Sequence, residues 1–155
     1  KTDEGQQKGK GRQHQRLLLI IGENIGFHGD DAVDIDLGID ELEQQAVKLL
    51  HSKTGACVAR HVYGVSDDIY EAIFWHTTGK ADMTLLEKVI YLADYIEPNR
   101  DFPGVERLRR AVYDDLDKGL LMGLSDTIDE MERMGNPVHH DTLEARDFLL
   151  RGEAK

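Results

Sequence analysis

The sequence predicts an all-α fold, and three observations carry that expectation. Beyond Asp40, apolar residues recur at helical spacing, recognisable stop signals separate the runs, and no strand-like alternation longer than a few residues competes with them. The chain of 155 residues, 40% of them hydrophobic, has the usual size of one domain and enough apolar content for a single core.

Residues 1–16 contain no aliphatic side chain and no Phe, Tyr or Trp, so they have nothing to bury against the entropy of being ordered and read as a flexible polar tail. From Leu17 to Gly38 a short apolar run, Leu17 to Ile21, gives way to Gly22, Gly26, Gly29 and Gly38 interspersed with Asp30, Asp31, Asp34 and Asp36. No helical period survives there, and over five residues a short strand and one turn of buried helix fit the run equally. This divides the chain into an irregular segment, residues 1–38, and a helical domain, residues 39–155.

Within the domain, a first helix begins near Asp40 and runs toward His51, and a second covers Thr54 to Tyr63 and ends at Gly64. A third opens at Ser66 as N-cap, with Asp67 and Asp68 set against the helix dipole, and carries Ile69, Ala72, Ile73 and His76 on one face. The fourth spans Thr84 to Ile96 and halts at Pro98. On it Leu85, Leu86, Val89, Ile90, Leu92, Ala93 and Ile96 fill one apolar arc that Asp94 borders. Val105 to Met134 has helical period, breaks or kinks around Asp114 to Gly119, and closes at Gly135 and Pro137. The terminal helix starts at Asp141, where Asp141-Thr142-Leu143-Glu144 has the spacing of a capping box, leaving His139 and His140 in the preceding loop.

Charge and cysteine usage narrow the function. Thirty acidic against 19 basic residues give a net charge of −11, a field that repels polyanions and argues against a nucleic-acid polymer as partner. The apolar run Leu17 to Ile21 falls far short of the roughly 20 residues a membrane span needs. One cysteine, Cys57, cannot form an internal disulfide, and no signal sequence opens the chain, so the expectation is a soluble cytoplasmic protein.

Several residues could carry chemistry. His76, on the inward face of the third helix, fits either a metal ligand or a hydrogen-bonded core histidine, and His51 poses the same choice. Asp94 is either a solvated flank residue or a carboxylate looking into a cleft; two inward imidazoles and a carboxylate are suitable ligand types for a divalent metal. Arg100 and Asp101 sit together in a turn rich in proline and glycine. Arg100 is either a loop cation paired with Asp101 or, with Lys80, a phosphate contact. His61 points away from His51 and reads as exposed.

The run His76-Thr77-Thr78-Gly79, the block Met83 to Pro98 and the block Arg100 to Val105 together closely resemble the YqeK family of HD-domain phosphohydrolases. Weaker similarity extends back through Leu49-Leu50-His51 to Ile39 and forward through Asn136-Pro137-Val138 to Leu143, so that residues 39–150 are covered. The resemblance implies an HD-domain-like helical bundle and symmetrical hydrolysis of diadenosine tetraphosphate to two ADP. It also implies a two-metal site, with iron as the divalent metal, in which His51, His76 and Asp94 are ligands and Asp94 is catalytic. Thr77, Thr78, Gly79, Lys80, Arg100 and Asp101 would line the nucleotide and phosphate side. The implied partner is a dinucleoside polyphosphate or an ADP-like nucleotide, and a homodimer is compatible with the reading.

The family pattern also contains an earlier histidine and a His-Asp doublet; the residues before His51 hold no His-Asp pair, and His28 with Asp30 or Asp31, interrupted by Gly29, is the nearest substitute. His14 and His28 lie in segments without helical period. The front end therefore reads as altered or truncated, with metal bound weakly or at one site only. A metal-deficient, non-catalytic HD-like domain with a nucleotide-binding or protein-interaction role is the alternative function.

Overall fold

In the computed structural model, residues 39–46 and 49–152 are described. They form seven helices: α1 (Glu41–Gln45), α2 (Leu50–Tyr63), α3 (Asp67–Phe74), α4 (Leu85–Ile96), α5 (Val105–Asp114), α6 (Leu116–Arg133) and α7 (His140–Leu150). The chain divides into two units, Lys1–Leu37 and Gly38–Lys155. The polar tail, the Leu17 to Ile21 run, His14 and His28 lie outside the described residues. No described helix is long and apolar enough to cross a membrane.

α1 opens on a capping box, in which Asp40 Oδ1 accepts from Glu43 N at 2.8 Å and Glu43 Oε2 accepts from Asp40 N at 3.0 Å. It does not run on toward His51 as expected, but ends at Gln45. A new helix then starts at Leu50, earlier than Thr54, which brings His51 into the first turn of α2. The polar residues before and at the expected start, Ser52 and Thr54, lie inside the helix. Ser52 Oγ donates to Leu49 O at 3.1 Å and Thr54 Oγ1 to Leu50 O at 2.9 Å, so their hydroxyls bond back to the preceding turn. At the far end Gly64, at φ 62°, closes α2 with its N–H on Arg60 O while Val65 N–H reaches back to Ala59 O.

α3 starts after Ser66 as the sequence suggests, but it stops at Phe74, and Trp75 N–H caps Glu71 O. His76 therefore sits in the following turn rather than on a helical face. Ala72 is buried, whereas Ile69 is exposed.

The largest departure is in α4. Its N-terminal capping box, Thr84 with Glu87, and its end before Pro98 follow the local signals. The expected apolar arc, however, is buried at Leu92 but not at Leu85, Val89 or Ile90. Leu85 is 70% exposed and Val89 and Ile90 are exposed with it, while Glu87, Lys88, Tyr91 and Leu92 are buried. The inward charges are paired by other elements: Glu87 Oε1 meets Lys80 Nζ at 2.8 Å, and Lys88 Nζ donates to Asp117 Oδ1 at 2.5 Å. Partnering of this kind makes burial of a charge tolerable. On this face Tyr91 and Leu92 join Met83, Leu120, Leu124 and Ala145 in the main core cluster, drawn from α4, α6, α7 and the turn before α4.

The predicted break in the long segment falls at Asp115, whose extended backbone separates α5 from α6 and whose side chain caps Lys118 N–H at 3.0 Å. Gly119 then lets α6 lie directly against Val112 of α5. α6 closes at Gly135, at φ 70°. α7 begins one residue earlier than expected and with a different cap. His139, not Asp141, is the N-cap, its Nδ1 accepting from Asp141 N–H at 3.3 Å. The Asp141 carboxylate is turned to the two histidines instead of forming a capping box with Glu144, and His140 is a helical residue rather than a loop residue.

Candidate functional site

His51, in the first turn of α2, and His76, in the turn after α3, face one another with their Nε2 atoms 2.9 Å apart. The local chain fixes the orientation of His76. Its Nδ1 lies 2.6 Å from Ile73 O, and because a carbonyl can only accept, Nδ1 carries the proton and Nε2 presents its lone pair toward His51. A second rung runs beside this pair, where Thr77 Oγ1 donates to Ser52 Oγ at 2.7 Å. α2 and the turn after α3 are thus held together by two adjacent side-chain contacts.

Asp94 is not brought into contact with these rings. It stands exposed on α4, where Arg100 folds back over the helix end, its Nη2 donating to Asp94 Oδ1 at 2.7 Å and its Nε to Asp94 O at 2.7 Å. The hydrogen bond and the field of Asp94 raise the Arg100 guanidinium above its usual value. The partner of Arg100 is therefore Asp94, rather than its chain neighbour Asp101, which lies exposed in the loop.

The residues after His76 differ in what they offer. Lys80 is held between Glu87 Oε1 at 2.8 Å and Glu71 Oε2 at 3.6 Å. Thr78 is buried, and its carbonyl accepts from Thr142 Oγ1 of α7 at 2.8 Å. Gly79, at φ 71°, sits so that an added Cβ would touch Ala145, Leu124 and Met83. Thr78 and Gly79 thus shape and anchor the turn that carries Thr77 and Lys80.

A second cluster escaped sequence reasoning. Asp40, His139 and His140 place one ligand-type atom each within 4.8 Å of one another. Linear spacing gave no signal, since Asp40 caps the first described helix and the histidines open the last. Burial pushes the Asp40 carboxyl up, but the Glu43 N–H and the fields of His139 and His140 outweigh it and hold it below its ordinary value. Burial raises the neighbouring Asp141 carboxyl.

Residues 21–99 match the HD domain family, a match that begins inside the segment that sequence reading set apart. Over 117 residues the chain is 43% identical to a symmetrical bis(5'-nucleosyl)-tetraphosphatase of Halalkalibacterium halodurans, covering 72% of this chain and 63% of that protein. The Bacillus subtilis protein of the same name is 43% identical over 106 residues, 68% of this chain and 57% of its own length. A solved structure from Clostridium acetobutylicum, described as a predicted HD superfamily hydrolase involved in NAD metabolism, superposes with a TM-score of 0.73 at 38% identity, covering 88% of this chain and 68% of that one. The chain spans about three-fifths of the length of the curated relatives it matches. With half its length in the family match and a helical fold shared with the Clostridium structure, the chain belongs to the HD domain family, in which a divalent metal site is implied.

Proposed function

We propose that the protein is a metal-dependent phosphohydrolase that cleaves diadenosine tetraphosphate symmetrically to two ADP, with His51, His76 and Asp94 holding a divalent metal. The observation that carries the reading is the convergence of the two Nε2 atoms at 2.9 Å, one ring locked by a backbone carbonyl. An Nδ1–H anchored on a carbonyl is the usual support of a metal-ligating histidine, so the residues present fit the implied metal. The names of the Halalkalibacterium and Bacillus relatives supply the substrate class.

Iron is the proposed metal, from the family resemblance. When bound, it lowers the pKa of water and neutralises charge on phosphoryl oxygens. The chain's own residues do the rest. Thr77 and Lys80, on the turn that Thr78 and Gly79 set, line the nucleotide side together with Arg100 and Asp101 of the loop after α4. Asp94 and Arg100 begin as each other's partners, 52% and 46% exposed, and an ion pair so exposed costs about 1 kcal/mol or less to open. We infer that Arg100 exchanges Asp94 for a substrate phosphate, which would leave the Asp94 carboxylate free to hold a divalent metal. Residues 39–155 make up the helical domain in this reading, and the buried free thiol of Cys57 suits the reducing cytoplasm.

The test is product analysis. Purified protein supplied with ferrous or manganous ion and diadenosine tetraphosphate is expected to release ADP alone. Release of AMP with ATP would overturn the symmetrical assignment. Nucleotide binding without any hydrolysis would leave the non-catalytic HD-like domain as the function.

A further inference from the structure

We propose that Asp40, His139 and His140 form a second cation site, for a borderline first-row divalent ion such as zinc, that ties the start of α1 to the start of α7. It uses none of His51, His76 or Asp94. Two imidazoles and one carboxylate form a donor set suited to that class of ion, and their ligand atoms already lie within 4.8 Å of one another.

The observation that points to a ligand is the His139 ring. It is 6% exposed, and its Nε2 has no hydrogen-bond partner among the described residues. That atom is aimed into the cluster, 3.0 Å from Asp40 Oδ2 but out of line for a hydrogen bond, and 3.8 Å from Glu43 Oε1. A buried polar nitrogen left this way among carboxylates marks a position that a cation would satisfy.

The surrounding groups orient each donor. Asp40 Oδ1 is taken by Glu43 N–H, which leaves Oδ2 facing both histidines, 3.0 Å from His139 Nε2 and 3.6 Å from His140 Nδ1. Asp141 supports both rings from the other side. Its Oδ1 lies 3.1 Å from His140 Nε2 and its Oδ2 lies 3.4 Å from His139 Nδ1. With a proton on each of those outer nitrogens, the lone pairs of His139 Nε2 and His140 Nδ1 turn toward Asp40 Oδ2. For His139 this exchanges its 3.3 Å acceptance from Asp141 N–H for donation to the Asp141 carboxylate, the arrangement in which a carboxylate backs a metal-bound histidine. His140 is largely exposed, so it can close the remaining distance and leave one side of the ion open to water. Among the described residues, the carboxylates Asp40, Glu43 and Asp141 gather at the cluster with Lys53 paired to Glu43, and this favours a cation locally.

The experiment removes the first site and counts what remains. In a His51→Ala/His76→Ala background, titration with zinc against a chromophoric chelator, and with cobalt followed by its visible absorption, is expected to show one bound equivalent, with zinc raising Tm. Adding His140→Ala, on an exposed side chain, or Asp40→Asn, which retains the cap, should weaken that binding roughly tenfold or more and abolish the Tm shift. No retained equivalent in the double variant, or retained binding indifferent to both added substitutions, would overturn the site.

Discussion

His76 Nε2 meets His51 Nε2 at 2.9 Å because the opposite nitrogen of the His76 ring is tied to Ile73 O at 2.6 Å. The turn after α3 thus presents one nitrogen and hides the other. His76→Ala is expected to lower affinity for ferrous or manganous ion at the first site by at least the 10- to 100-fold lost when a ligand's supporting partner is removed, roughly two decades. Calorimetric titration reads this directly. The α-helical circular dichroism should be unchanged, since only the His51 contact and one backbone bond are lost.

The Asp94–Arg100 pair gives a separable result. Arg100→Ala should raise the nucleotide dissociation constant about tenfold or more, because a charge-assisted hydrogen bond contributes about 1.5 to 3 kcal/mol. Asp94→Asn should abolish ADP release while the protein remains folded, as its side chain is exposed. Unchanged affinity in the first variant or full turnover in the second would remove that residue from the proposed site.

Glu43 and Lys53 form a buried pair at 2.6 Å, their side chains 1% and 10% exposed, with the Lys53 ammonium also over the Phe74 ring at 5.2 Å. Glu43→Ala removes the Glu43 carboxylate from the Lys53 ammonium and half of the α1 capping box. Breaking a buried pair on one side costs about 3 to 5 kcal/mol. A urea unfolding midpoint lowered to match, at unchanged slope, is the expected outcome.

Gly119→Ala sets two magnitudes against each other. Helix propensity favours alanine by about 1 kcal/mol. The new Cβ, however, would stand 2.6 Å from Val112 Cγ2 and 2.7 Å from Val112 Cα, and the backbone atom cannot rotate away. Overpacking costs about 1 to 3 kcal/mol, so the net change is destabilising. A rise in Tm would show that α5 and α6 can separate without loss.

The helix ends that carry a cap or stop of their own were legible because those signals are local. The Gly64 closure, the Ser66 and Thr84 starts, the break before Leu116 and the Gly135 stop each depend on residues within about one turn of the boundary. The pairing of His51 with His76 was legible only as two candidates of suitable type, since neither residue's spacing says what it faces.

Tertiary partners decided the rest. The apolar pattern of α4 nominated Leu85, Val89 and Ile90 for the core, yet Glu87 and Lys88 are buried because Lys80 and Asp117 come from elsewhere in the chain to meet their charges. The Asp141 capping box was sound by spacing, but His139 took the cap and Asp141 turned to the histidines. Helical periodicity ranks a face by its own side chains, whereas burial is settled by what packs against that face and which charges it brings. The sequence alone therefore determined the helix ends that carry their own cap or stop, at Gly64, Ser66, Thr84, Asp115 and Gly135, whereas only the packed structure decided where α1 and α3 stop, where α2 starts, which faces are inside and that Asp40 meets His139 and His140.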